Sequence, residues 1–336
     1  MDSLTHGLLG LAIGALFAPS PRAELDDRAV AAARSARRGV LLSAVLAAEL
    51  PDLDYLWPAS DPVIHALRAH RGLSHALLIA PIVALIATAA GKLAFRQLEL
   101  WRGFAAALCA VSLGHLLADA WTGWGTRLWL PFSDSRVTLD WMLVVDPLFT
   151  LPLLAAALWS LRRTADLRRA LAVGLAVSAG YLALRVAVQG VLTARVAERY
   201  PSAASVQVFP SWLGPTEWRY VAVLPNEHAA GAVRLFGDTV EQARHARADR
   251  TRLGPAARAS ATVREALAWA RFPLLDAAPL PRGGSRVRIA DLRYHLNGAP
   301  TLRFQIELDA NGGVRAAWLD RGGSAGSLLE RLRGRR

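Results

Sequence analysis

Cysteine is nearly absent. Cys109 stands alone among 336 residues, which excludes an intrachain disulfide and any zinc site built on thiolates. Lysine is as scarce: Lys92 is the only one, so the formal charge of +12 is almost wholly arginine. No aromatic-basic RNA motif, zinc finger or helix-turn-helix signature accompanies that charge, and no nucleic-acid partner is expected. A positive n-region is also missing. Met1-Asp-Ser-Leu-Thr-His6 runs directly into an apolar stretch, which argues against a cleavable signal peptide.

What is abundant is apolar. Hydrophobic residues make up 53% of the chain and the mean hydropathy is +0.27, above the roughly 45–50% usual for soluble domains. Six segments carry it: Leu4–Ala18, Val40–Leu50, Leu73–Phe95, Gly103–Ala118, Leu143–Leu161 and Leu171–Leu192. A full span needs about 20 residues. The third, fifth and sixth segments reach or approach that. The first two span only if their polar residues sit at the membrane boundary or inside a bundle. The expected fold is mainly α, a polytopic membrane bundle of about six helices over residues 1–195. Strands alternating at Ser205–Phe209, Trp218–Leu224, Ser285–Leu296, Thr301–Leu308 and Val314–Leu319, with a helix at Ala256–Phe272, predict a small extramembrane α+β domain over 201–330. Residues 331–336 read as a basic, disordered tail.

The histidines are unevenly placed. Five of eight fall in the first 115 residues, and four of those lie in three clusters: Asp2-Ser-Leu-Thr-His6, His70-Arg-Gly-Leu-Ser-His75 and His115-Leu-Leu-Ala-Asp119. Glu49-Leu-Pro-Asp52-Leu-Asp54 lies between the first two. Imidazole and carboxylate form the ligand set of a borderline metal such as zinc, and ionisable groups at membrane depth default to function. His115 and Asp119, four apart, share a face of an α-helix; a metal platform and a plain His–Asp hydrogen bond both fit. Gly72 predicts a helix start near Leu73 or Ser74, with Ser74 as a possible N-cap. His70 then reaches in from the loop and His75 from the first turn. Arg71 can hold a phosphate oxygen or an aspartate. Pro51 predicts extended backbone, in which Asp52 and Asp54 face the same way. Glu49 is a general base, a partner of a ligand or a boundary residue. Asp2 either caps a helix or orients His6. Asp146, before Pro147, reads as a helix cap. The tryptophan-rich run from Trp121 to Asp134 is an interfacial belt or a loop folded over the site. His65, His228, His245 and His295 are ranked as non-ligands.

Threading the six segments through a bilayer puts every candidate ligand on one side. The loops of the other side carry twelve basic residues, from Arg22 to Arg169, against four in the interhelical loops of the ligand side. By the positive-inside rule the ligand side and the C-terminal domain face the periplasm or exterior of a bacterial inner membrane.

The same motifs carry a resemblance. Asp-x-Leu-Thr-His, Leu-Pro-Asp-x-Asp, His-Arg-Gly-x-Ser-His, Gly-His-Leu-Leu-x-Asp, Thr-x-x-Gly-Thr, Leu-Pro-Phe-Ser-Asp and Asp-Pro-Leu occur in order over about residues 1–190. As a set they resemble the membrane-bound metal-dependent hydrolases of the YdjM-like family, considered distantly similar to zinc-dependent phospholipase C and P1-type nucleases. The resemblance implies a helical metal enzyme. The expected centre holds two Zn²⁺ through His6, Asp52, Asp54, His70, His75, His115 and Asp119. Glu49, Asp52 and Arg71 are the catalytic candidates, the bilayer is the surrounding partner, and the substrate is a phosphoester or lipid-type ester cleaved by an acidified water. A divalent-metal transporter or a non-catalytic membrane scaffold could use the same cluster.

Overall fold

The apolar segments form helices whose starts carry local signals. α1 (Ser3–Phe17) is capped by Asp2, whose carboxylate accepts Thr5 N at 3.1 Å and Thr5 Oγ1 at 2.7 Å. α2 (Asp27–Glu49) is capped by Asp26. α3 (Ala80–Ala94) begins with Pro81 in its first turn, and α4 runs from Leu100 to Ala120. α5 (Pro147–Ser160) starts on Pro147, where a missing N–H costs nothing. α6 (Leu167–Arg199) follows. The computed structural model describes residues 1–19, 26–57, 60–162, 166–212, 214–281 and 283–320; Arg22, Arg163 and the basic tail lie outside them.

Each of the six expected segments contains a helix, with the third and fifth α-helical only from Ala80 and Pro147, but the expectation of about six spans is not confirmed. Among the described residues only α4 and α6 are long and apolar enough to cross a membrane, or three helices if Pro62–His75 with Ala80–Ala94 counts as one bent span. At about 1.5 Å per residue, the 15 residues of α1 and 14 of α5 reach about 21–23 Å, short of the roughly 30 Å hydrocarbon core. The first half of α2 is charged. α6, at 33 residues or about 50 Å, is longer than the core requires.

The chain divides into two compact units, residues 1–57 with 70–187 and residues 58–69 with 188–336. The division thus falls inside α6, and a short stretch from the middle of the ligand motifs joins the second unit.

In the first unit, α1 lies against α2 through small residues. A Cβ on Gly10 would stand 2.8 Å from Ala48 Cβ and 2.9 Å from Ala44 O; one on Gly14 would stand 2.8 Å from Ala44 Cβ. This is the small-residue approach that lets helices pack closely in membranes. Gly10→Ala therefore has two opposed effects: a helix-propensity gain of about 1 kcal/mol and an overpacking cost of about 1–3 kcal/mol or more. Because one clashing atom is backbone, the cost wins. Thermal unfolding in detergent should show a net loss of stability; a gain would show that α1 can shift freely.

The second unit holds two antiparallel four-stranded meanders. β1 (Ser205–Pro210), β2 (Glu217–Val223), β3 (Glu227–Arg234) and β4 (Thr239–Ala246) form one in chain order. After α7 (Ala261–Trp269), β5 (Pro273–Pro279), β6 (Ser285–Asp291), β7 (Arg303–Leu308) and β8 (Val314–Asp320) form the other, ordered β8-β7-β6-β5. Val188, Leu192 and Val196 of α6 pack with Trp218, Tyr220 and Val233. The expected helix at 256–272 is broken at Ser260, leaving Pro255–Ala259 and α7. The expected strand at 285–296 stops at Asp291, whose carboxylate caps a 3-10 turn by accepting Arg293 N at 2.8 Å.

Candidate metal centre

Four stretches of the first unit bring imidazoles and carboxylates together. Leu50–Leu56 is a 3-10 helix with Pro51 near its start, which corrects the expected extended segment. Three residues per turn separate the directions of residues two apart. Asp52 accordingly faces His75 Nε2 (3.4 Å) and His115 Nε2 (3.7 Å), whereas Asp54 faces His70 Nδ1 (2.9 Å) and Ser74 Oγ (2.7 Å).

Leu73–His75 is a short 3-10 turn, and α3 begins only at Ala80. Ser74 is therefore not a helix cap. Its hydroxyl donates to Asp54 Oδ2 and meets His75 Nδ1 at 2.9 Å. Arg71 adopts φ of 57°, an uncommon conformation for a residue with a side chain. From it, the backbone N–H donates to Asp54 Oδ2 at 3.2 Å.

His115 and Asp119 share α4, but its residues 110–117 are π-wound, not α-helical as the spacing predicted. Such wide turns recur at functional sites. This one presents Gly114 O, which accepts His6 Nδ1–H at 2.9 Å.

These contacts fix the tautomers. A carbonyl can only accept, so His115 Nδ1–H donates to Ala48 O at 2.5 Å and leaves Nε2 a lone pair. The Ser74 hydrogen is committed to Asp54, so Ser74 Oγ accepts His75 Nδ1–H. The Nε2 atoms of His75 and His115 then face each other at 3.0 Å. Two lone pairs at that distance need a proton or a cation between them.

Asp119 divides its oxygens between two environments. Oδ1 accepts Arg71 Nη2 at 2.8 Å and faces His6 Nε2 at 3.2 Å, with the amino group of Met1 also in contact. Oδ2 is fully buried, is assigned no hydrogen bond among the described residues, and stands 3.3 Å from His75 Nε2 and 3.9 Å from His115 Nε2. An orphaned buried carboxylate oxygen is costly unless a cation is there to meet it. One donor atom each from Asp52, His75, His115 and Asp119 lies within 4.8 Å of the others, as does one each from Asp52, Asp54 and His70. Tetrahedral zinc with ligands at about 2.0–2.1 Å sets its donors about 3.3 Å apart, near the distances found. The residues present fit a divalent cation.

Burial grades the centre. His75, His115 and Asp119 are inaccessible, whereas the Asp52 and Asp54 side chains are 17% and 12% exposed. Burial opposes charge on Asp54, yet hydrogen bonds from His70, His75 and Ser74 hold its carboxyl well below the usual range. Asp52 is likewise lowered: burial opposes its charge, and His75 and His115 outweigh it.

His6 lies in the cluster, its ring stacked on His115 at 4.0 Å, but outside both donor groups. Glu49 ends α2 beside Gly7 and also stands outside them. Arg71 is buried and bound to Asp119 and Thr122. Thr122 begins a loop that folds back, with Arg127 N bonded to Arg71 O and Leu77 N to Leu128 O. Asp146 precedes α5 without a side-chain cap, and meets Tyr181 Oη at 3.3 Å instead. His65, His228, His245 and His295 belong to the second unit; His228 and His245 are cross-strand neighbours, and His295 Nε2 lies 3.3 Å from Tyr220 O.

Sequence reasoning missed Thr122, the stacking of Tyr55 on His70 (3.8 Å) and the anchoring carbonyls of Ala48 and Gly114. Thr122 could have been found from its place three residues after Asp119. The carbonyls carry no side-chain signal.

No curated protein and no solved structure matches the chain. The family described as YdjM inner membrane protein matches over residues 1–192, more than half of the length and a range that contains all of these donors of the chain. The chain belongs to the YdjM inner membrane protein family.

Proposed function

We propose that this protein is a membrane-embedded metal-dependent hydrolase with a two-ion centre, acting on a phosphoester or lipid-type ester. The observation that carries the reading is the pair of imidazole Nε2 atoms 3.0 Å apart beside the orphaned Asp119 Oδ2. His75, His115, Asp119 and Asp52 would hold one cation, and Asp52, Asp54 and His70 the other, with Asp52 shared. Imidazole and carboxylate donors suit zinc, as they suit other borderline divalent ions. Such ions, when bound, acidify water and polarise a scissile ester.

The protein's own groups supply the rest. Carbonyl and hydroxyl anchors on Nδ1 aim the imidazoles, as metal sites require. Arg71 holds Asp119 by one oxygen and leaves the other free. Glu49, a carboxylate outside both donor groups, is left to accept a proton. Substrate enters from the side of Asp52 and Asp54, the accessible carboxylates. The adjoining 3-10 helix exposes Leu53, Tyr55 and Leu56, and Trp57 follows it exposed, an apolar lip suited to a lipid at the membrane interface. The twelve-to-four distribution of basic residues supports a periplasmic site on a multi-pass chain.

The test is full-length protein in phospholipid vesicles with Zn²⁺, followed for release of phosphoester products. Hydrolysis that chelator abolishes supports the reading. Zinc flux into the vesicles without ester cleavage would make the centre a transport site instead.

A further inference from the structure

Residues 60–69 lie between the turns that carry Asp52 and Asp54 and those that carry His70 and His75, yet they belong to the second unit. There Val63 and Leu67 are 1% and 0% exposed; their turns, Pro62–Ile64 and His65–Ala69, both contact α7, and the first also contacts β8. Asp61 fixes the start of the stretch. Its Oδ1 accepts Val63 N at 2.9 Å and Ile64 N at 3.0 Å, and its Oδ2 accepts Thr262 Oγ1 of α7 at 2.6 Å. The Asp54–His70 contact, at 2.9 Å, closes the loop whose middle is fixed in this way.

We infer that the C-terminal unit positions the Asp54–His70 half of the metal centre through this strap, with Asp61 and Leu67 as positioning residues. The inference rests on the metal-centre reading above. A strap already ordered by Asp61, Val63 and Leu67 spares ion binding the entropy of ordering it. Coupling of this kind is reciprocal, so ion binding must stabilise the strap as much as the strap favours the ion. The deeper donors are anchored otherwise: His115 by Ala48 O and Asp119 by Arg71, all within the first unit. Damage to the strap should therefore spare the tighter ion and loosen the other.

The test titrates Zn²⁺ into the full chain in detergent against a competing chelator. Leu67→Ala should weaken the second zinc by about tenfold or more, the scale on which supporting residues act on metal sites. Thr262→Val, which removes one hydrogen bond and leaves the core filled, should weaken it by a smaller factor. Neither should change the first zinc. Val233→Ala, in the core of the other sheet of the same unit, controls for general destabilisation and should leave both ions unchanged. In the wild type, Zn²⁺ should slow amide exchange in residues 61–69 and in α7, a readout that a purely structural role would not move. Wild-type protein that binds zinc while Leu67→Ala and Thr262→Val match it overturns this inference alone, as does an equal loss in Val233→Ala. Wild-type protein that binds no zinc overturns the metal reading and this inference with it.

Discussion

Asp119→Asn is expected to give a protein that neither holds metal nor tolerates mild denaturation. The side chain is fully buried, and its Oδ1 is the acceptor for the buried guanidinium of Arg71. Neutralising one partner of a buried ion pair leaves the other charge uncompensated, which costs about 3–5 kcal/mol, a large fraction of a typical total stability of about 5–15 kcal/mol. The same change removes the Oδ2 donor from the metal group. The two losses can be separated. Arg71→Met added to Asp119→Asn removes the stranded guanidinium and should restore part of the stability, while metal binding stays lost. Equilibrium unfolding in mixed micelles, paired with metal content, checks both. A single variant as stable as wild type would show that the Arg71–Asp119 contact does not hold the site together.

His115→Ala isolates the metal from the fold. Alanine favours a helix at least as well as histidine, and Asp52 and Asp119 keep His75 beside them after the change. Insertion and helix content should be preserved. What goes is one Nε2 donor and the ring on which His6 stacks. Supporting residues alone are worth about 10–100-fold in metal affinity, so losing a donor should exceed about 100-fold, with ester hydrolysis falling to background. Retained hydrolysis with altered insertion would contradict the assignment.

The sequence carried the site better than the backbone that builds it. Histidine and aspartate are conspicuous in apolar surroundings, and the structure brings donor atoms of His70, His75, His115, Asp119, Asp52 and Asp54 into two overlapping groups. Their local geometry was misread because apolar periodicity does not separate an α-helix from the π-turn at 110–117 or the 3-10 turns at 50–56 and 73–75. Carbonyl anchors leave no trace in side-chain identity. In the second unit, β3 (Glu-His-Ala-Ala-Gly-Ala-Val-Arg) is rich in alanine and glycine, which strands disfavour. β4 and β5 are sheet edges, the latter bounded by Pro273 and Pro279, where proline is tolerated. The strap is invisible in the sequence for a different reason: Asp61 and the turns that follow it meet α7 about 200 residues away along the chain, and no local pattern reports a contact at that separation.

The most direct measurement is elemental analysis of the purified full-length chain after equilibration with Zn²⁺ and removal of free ion. The proposed paired centre predicts tightly held zinc, about two ions per chain. A preparation that keeps no zinc, with His75 and His115 sharing only a proton, would contradict the account at its base.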